Sequence, residues 1–297
     1  MNSDCISLAP IRPKSLQHLV ARSAYVAMML EVLAWPKPGL VTRHSNGCHR
    51  DMTVSTFQAS AIACAPYFGR AFQAAYEPAL PGGMRLATKL RALGCAAEAS
   101  MTAATSGRNA HKGFIFLGLI VAAAFGDLKR QDTVPTADAI LLRAGKISQS
   151  LCRFPATTDR MTAGIKAYWE FGLAGVRGIP GDGFSLVRRY GLPMLRERGW
   201  TEDADKVIGD ILLNFMARND DTTILNRKFD IDRISYVKET SAECLSVGGC
   251  ATRIGMERTL HFDEILSNRN MSPGGSADLV GISLFSYLLE NARGAPS

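Results

Sequence analysis

The residues of this chain whose types and spacing could do chemistry fall in four short polar stretches. The first joins Lys37 to His49-Arg50-Asp51. A histidine and a carboxylate one residue apart can act as a base with its orienting partner, or as a pair of metal ligands. The second is Asn109-Ala110-His111-Lys112-Gly113, placed directly before the apolar run Phe114 to Phe125. If that run is a helix, its first turn presents unpaired N–H groups and the positive end of a dipole, and Arg108 and Lys112 add full charges. That combination predicts an anion site. The third is Asp220-Asp221 with Arg227. Adjacent carboxylates at a helix end commonly hold Mg²⁺ through oxygen ligands and water, and at the negative end of a dipole they call for a cation. The fourth is Ser272-Pro273-Gly274-Gly275-Ser276-Ala277-Asp278. Its paired glycines let a backbone approach a ligand closely, and Ser276 fits as the cap of a following helix with a second anion site at its N-terminus. It lacks the Gly-Lys-Ser/Thr ending of a P-loop. Each stretch taken alone also reads as an ordinary loop, a solvated acidic turn or a plain helix cap.

The elements that must position these stretches read as helices. Leu19, Val26, Leu30 and Leu33 share one face of a helix over 14–35, which Pro36-Lys37-Pro38-Gly39 ends. Ala59 to Ala75 and Met84 to Thr105 are two more helical segments, separated by a turn at 78–83. Phe114 to Phe125 is apolar all round, which predicts a buried central helix. Ile140, Leu141, Ala144 and Ile147 mark a helix over 136–151, and Gly172 to Gly183 is a glycine-rich loop holding Arg177 and Asp182. Ile208, Ile211, Leu212 and Phe215 give another stripe, ending near Asp220-Asp221, and Gly248-Gly249 breaks the chain again. Leu279, Ile282, Phe285 and Leu289 mark the last helix. Alternating strand patterns are scarce. The expected fold is all-α, with a tail at 1–13 and one multi-helix domain over 14–297 that carries its functional loops at helix ends.

Composition narrows the class. The chain has 297 residues, 47% hydrophobic and 21% charged, as a globular protein with a sizeable core does. Its net charge is +7. The basic residues are dispersed, which points to a polyphosphate ligand rather than to nucleic acid. Seven cysteines without a CxxC argue against a disulfide framework or a structural zinc site. The first residues hold no apolar signal core, and the longest apolar run falls short of the ~20 residues that span a bilayer. No membrane association and a cytoplasmic location are expected.

Together the four stretches resemble the triphosphoribosyl-dephospho-CoA synthase family, which builds the prosthetic-group precursor of citrate lyase and malonate decarboxylase. The matching residues are Pro36-Lys37-Pro38-Gly39-Leu40-Val41, Gly47-Cys48-His49-Arg50-Asp51-Met52, Ala104 to Gly113, Asp220-Asp221-Thr222, Arg227 and Ser272 to Leu279. The resemblance implies an all-helical enzyme that uses ATP and 3′-dephospho-CoA as substrates. The ribose 2′-hydroxyl of dephospho-CoA attacks the anomeric carbon of ATP, and adenine leaves. Such chemistry needs a donor for the leaving base, a carboxylate near the oxocarbenium-like sugar, a base for the hydroxyl, and Mg²⁺ with cationic or N–H donors for the triphosphate. The matching positions assign His49, Asp51, His111 and Asp221 to catalysis, and Asp220 and Asp221 to Mg²⁺. They assign Lys37, Asn109, Lys112, Gly113, Arg227, Ser272, Gly274, Gly275 and Ser276 to nucleotide binding. A transferase that loads an acyl-carrier subunit is the implied downstream partner. Two other readings stay open at this point. One is a nucleotide- or CoA-binding paralogue without turnover, because Lys228-Phe229 stands where the family has Gly-Gly. The other is a transferase with a different acceptor in one-carbon cofactor metabolism. A last expectation is geometric: the four stretches should converge on one pocket, since one sugar carbon must meet every group at once.

Overall fold

The computed structural model describes residues 16–78, 84–151, 162–199 and 203–292. The expected tail at 1–13, residues 79–83 of the expected turn, and Cys5 and Cys152 lie outside them. Eleven α-helices and no strand occur among the described residues. In chain order they are α1 (Leu16–Leu33), α2 (Val54–Tyr76), α3 (Leu86–Ala104), α4 (Lys112–Arg130), α5 (Ala137–Ser148), α6 (Ala163–Phe171), α7 (Leu192–Arg198), α8 (Ala204–Met216), α9 (Asp232–Ser246), α10 (Arg253–Asn268) and α11 (Gly274–Asn291). The fold is all-α, as the periodicity implies.

α4 is the centre. Phe114, Ile115 and every residue from Leu117 to Asp127 are buried, so the helix is enclosed on all sides. It packs against α2, α3, α5 and α11. Phe114 meets Phe68 of α2 and Phe285 of α11 at ring-centroid separations of 5.4 and 6.1 Å. Each such side chain, fully buried, contributes on the order of 1.5–3 kcal/mol. α2 comes so close to α4 that a Cβ on Gly126 would run into the Phe72 carbonyl oxygen. The one carboxylate at the far end of α4, Asp127, is bound by Arg130 and Arg143.

α1 lies across α2 and α11, and α8, α9 and α10 form a second group joined to α11 through α8. The sequence reading missed α6, α7, α9 and α10 as separate helices. In α9 the buried stripe is Ile234, Val237, Ser241 and Cys244. Ser241 is tolerated there because its hydroxyl donates back to the Val237 carbonyl at 2.7 Å. Thr259 does the same to Gly255 in α10 at 2.8 Å. A stripe built from serine, threonine and cysteine gives a weak hydrophobic signal. The five described cysteines are free thiols, and all but Cys95 are buried. No described helix is long and apolar enough to cross a membrane.

Candidate active site

The loop between α1 and α2 is knitted tightly. Its backbone folds on itself through Thr42 N–H to the Ser45 carbonyl, Cys48 N–H to the Gly39 carbonyl and His49 N–H to the Asn46 carbonyl. Gly39 has a φ of +74° and donates its N–H to Asp263 of α10 at 2.7 Å. This fixes Lys37 at one end of the loop and His49 at the other. Lys37 is 1% exposed and its Nζ donates to Glu31 of α1 at 2.5 Å. Burial pulls the Lys37 ammonium below its ordinary range, and the Glu31 carboxylate opposes that pull.

His49 is held from both sides. Arg227 Nη2 lies 3.1 Å from its Nδ1, and Ser272 Oγ lies 3.1 Å from its Nε2. A guanidinium only donates, so Nδ1 is the bare nitrogen and the Nε2–H donates to Ser272. Burial first, and the Arg227 cation second, lower the His49 pKa from 6.5 to about 4. In this arrangement His49 has no free lone pair for a proton. His49, read from the sequence with Asp51 as the acid–base or oxocarbenium-facing group, stands here as an orienting bridge between Arg227 and the Ser272 hydroxyl. Arg227 Nη1 also donates to Cys48 Sγ at 2.7 Å.

His111 is buried at the start of α4. Its Nδ1 lies 2.8 Å from Ser60 Oγ and its ring stands edge-on to Phe57. Burial, then the nearby Lys37 charge, lower its pKa to about 3, so it is neutral at pH 7. Its Nε2 is buried without a partner. Asn109 Oδ1 accepts from the Lys112 N–H at 3.2 Å and so caps α4. Lys112 itself reaches Glu98 at 2.9 Å. Asp51 is exposed, 3.7 Å from Arg108 Nε.

The acidic pair differs most from expectation. The two carboxylates do not end a helix. α8 stops at Met216, and Asp221 instead opens the short 3₁₀ turn Thr222–Asn226. Asp221 is 3% exposed and both its oxygens are committed. Oδ1 accepts from the Thr223 N–H, the Thr223 hydroxyl and the Gly275 N–H at 3.1, 2.6 and 3.2 Å. Oδ2 accepts from the Ser276 N–H and hydroxyl at 2.7 and 2.9 Å. Asp221 therefore closes the N-terminus of α11, where the dipole favours it. Such saturation leaves no lone pair for a metal ion. Asp220, also on the cleft wall, pairs with Lys238 at 2.8 Å. No group of three or more His, Cys, Asp and Glu side chains placed to hold a metal occurs among the described residues.

Ser276 is not the helix cap; it is fully buried and serves as a donor to Asp221, beneath the site rather than on its wall. The missing side chain of Gly275 admits the Asp221 carboxylate, since a Cβ there would sit 2.7 Å from Oδ1. Gly113 plays the same part for Asp278, whose carboxyl a Gly113 Cβ would overlap. Asp278 in turn accepts from the Phe114 backbone N–H in the first turn of α4. The N-termini of α4 and α11 are thus closed by aspartates of this chain, and they are not open anion sites.

These pieces line one cleft of about 820 Å³. Lys37, His49, Asp51, Asn109, His111, Lys112, Gly113, Asp220, Asp221, Arg227, Ser272, Gly274 and Gly275 all lie on its wall; of the sequence-derived site residues only Ser276 does not. The reading missed Glu31, Glu98 and Arg177 as wall residues, and quoted Asp278 without giving it a role. Glu31 lies inside the α1 pattern, where a buried acid is visible only as an interruption of the apolar face. Among the described residues six carboxylates and four Lys/Arg cations line the cleft, although the chain as a whole is basic.

Residues 17–297 match the ATP:dephospho-CoA triphosphoribosyl transferase family. A protein of Vibrio cholerae serotype O1 named probable 2-(5″-triphosphoribosyl)-3′-dephosphocoenzyme-A synthase is 35% identical, over 97% of this chain and 93% of its own length. The 2-(5″-triphosphoribosyl)-3′-dephosphocoenzyme-A synthase of Escherichia fergusonii is 32% identical over 93% and 91%. A probable synthase of the same name from Albidiferax ferrireducens is 35% identical over 91% and 90%. No solved structure matches.

Proposed function

The chain belongs to the ATP:dephospho-CoA triphosphoribosyl transferase family, and from that membership we propose that this cleft is where the transfer takes place. The activity is the movement of the triphosphoribosyl group of ATP onto 3′-dephospho-CoA. Its product goes to a transferase that loads an acyl-carrier subunit. One observation carries the placement in the cleft. Stretches that begin at Lys37 and end at Asp278 come together on one wall-to-wall surface of mixed cations, carboxylates and apolar side chains.

The reaction breaks the C1′–N9 bond of ATP and forms a C1′–O bond to the acceptor ribose. Phe57, Phe116, Val32 and Met52 give the cleft an apolar surface suited to a purine ring. Lys112, Arg177 and Arg227 are the cations that can meet the triphosphate. Ser272, oriented by His49, offers a hydroxyl beside them. Lys37 stays with Glu31 and supports the floor rather than reaching the phosphates. Asp51, exposed at the rim, is the carboxylate free to take the proton of the incoming hydroxyl. Positioning of two nucleotides in one site supplies a large share of the acceleration.

The donor set does not form a metal cage, because Asp221 is saturated and Asp220 is paired. Magnesium in this reading would come as the counter-ion of the triphosphate, and Asp220 is the wall carboxylate that would hold it. An acid-rich cleft supports the same view, since a free polyanion would be repelled by it.

Nothing in the structure favours a binding protein without turnover. Lys228 is exposed and pairs with Asp230, and Phe229 stacks on Phe171 under Lys166. Neither lines the cleft. The test is to incubate the protein with ATP, Mg²⁺ and 3′-dephospho-CoA and to chromatograph the mixture. Adenine should appear in step with a heavier nucleotide product. ADP or AMP without adenine would refute the reading.

A further inference from the structure

Departure of adenine puts an electron pair on the purine, so a proton donor at that end of the cleft speeds the reaction. Five of the six wall carboxylates are poorly suited to that task. Asp221 accepts five hydrogen bonds, and Glu31 is buried against Lys37. Asp220 and Glu98 are paired with Lys238 and Lys112, and Asp51 stands at the exposed rim beside Arg108.

Asp278 differs from all of them. It lies one turn into α11, partly accessible from the cleft and enclosed by protein on its other sides. Its carboxyl rests on the bare Cα of Gly113 and accepts from the Phe114 N–H. Its charged neighbours are the carboxylates of Asp221 and Glu31, and among the described residues no Lys or Arg is paired with it. The geometry points to Asp278 as a catalytic residue that touches the ribose–adenine junction of ATP and gives its proton to the departing purine. This rests on the transfer reaction assigned to the cleft. Burial, and then the two neighbouring carboxylates, hold the Asp278 carboxyl well above the usual carboxylate range, which favours the protonated form that can give a proton.

The step balances. The C1′–N9 bond breaks and its electrons go to the purine, which takes the Asp278 proton on a ring nitrogen and leaves neutral. The acceptor hydroxyl oxygen bonds to C1′, and its proton passes through Asp51 to solvent. Solvent returns a proton to Asp278 once the products have left.

Asp278→Asn separates this role from a purely structural one, because the amide oxygen still accepts from Phe114 while the acidic proton is gone. Adenine release from ATP should fall about 100-fold or more, with the melting curve retained. 7-Methyladenosine triphosphate, whose base is already cationic, should recover most of that loss. Equal losses with both donors, or a variant within about 3-fold of the parent on ATP, would overturn the assignment. A second measurement uses the unaltered protein and does not depend on how the variant folds. Single-turnover rates in D₂O should be slowed more with ATP than with the methylated donor, because the acceptor proton moves with both; equal slowing contradicts the proposal. If the unaltered protein releases no adenine from ATP at all, the assigned reaction fails instead.

Discussion

At the scale of single residues, the site depends on two aspartates pressed onto two glycines. Gly113→Ala should displace Asp278 and lower turnover by about 100-fold or more while leaving nucleotide binding within several-fold; kcat and KM measured together check this. Asp220 and Asp221 should separate cleanly. Asp220→Asn is expected to raise the Mg²⁺ concentration needed for half-maximal rate. Asp221→Asn should act on stability with little change in that requirement, and the reverse pattern would restore Asp221 as the metal ligand. The two histidines give a pH signature. Both titrate below the ordinary 6.5, at about 4 for His49 and about 3 for His111. The unfolded chain therefore binds more protons than the folded one across this range. Stability from the neutral rings is fully present above pH ~6.5 and is lost as pH falls through 4 and 3. Urea midpoints should drop steadily from pH 7 to 4, and His49→Gln should flatten part of that slope; parallel slopes would show that His49 is not held neutral. The sequence displayed these residue types but not their duties. Asp221 and Asp278 close helices far from them in the chain, and no local spacing announces a cap that spans 54 or 55 residues.

At the scale of elements, α4 and α11 meet the cleft with closed N-termini. Asp221→Ala would leave the Thr223 and Ser276 N–H groups and the Ser276 hydroxyl short of an acceptor, while the Gly275 N–H keeps Thr223 Oγ1 and the Thr223 hydroxyl keeps the Ser272 carbonyl. The expected cost is about 2 kcal/mol, read as a lower denaturation midpoint with unchanged m-value. Gly126→Ala should push α2 off α4 and cost about 1–3 kcal/mol, visible as a lower Tm in calorimetry. The α4 helix was legible because an apolar run enclosed on all sides has one reading. The end of α8 was not. The pattern carried on toward Asp220, whereas the chain turns after Met216 into the 3₁₀ segment that Asp221 starts. That shift turned an apparent dipole conflict into a favourable cap. α9 and α10 escaped notice because Ser241 and Thr259 occupy core positions that apolar residues usually fill.

At the scale of the molecule, the helices form a frame whose loops from residue 37 to residue 278 face one another across a single cleft. The convergence was foreseeable from chemistry, as one sugar carbon must meet all the groups. The sign of the local charge was not, because the excess of carboxylates on the wall is hidden within a basic chain. The central claim is that this cleft brings the C1′ of ATP to the acceptor hydroxyl above Asp278. A crystal structure of the Asp278→Asn protein with ATP, Mg²⁺ and 3′-dephospho-CoA tests it most directly. The account predicts the purine–ribose junction within hydrogen-bond reach of residue 278, the triphosphate toward Lys112, Arg177 and Arg227, and the acceptor hydroxyl entering from the Asp51 rim. ATP bound outside this cleft, or with its γ-phosphate rather than its ribose facing the acceptor, would contradict it.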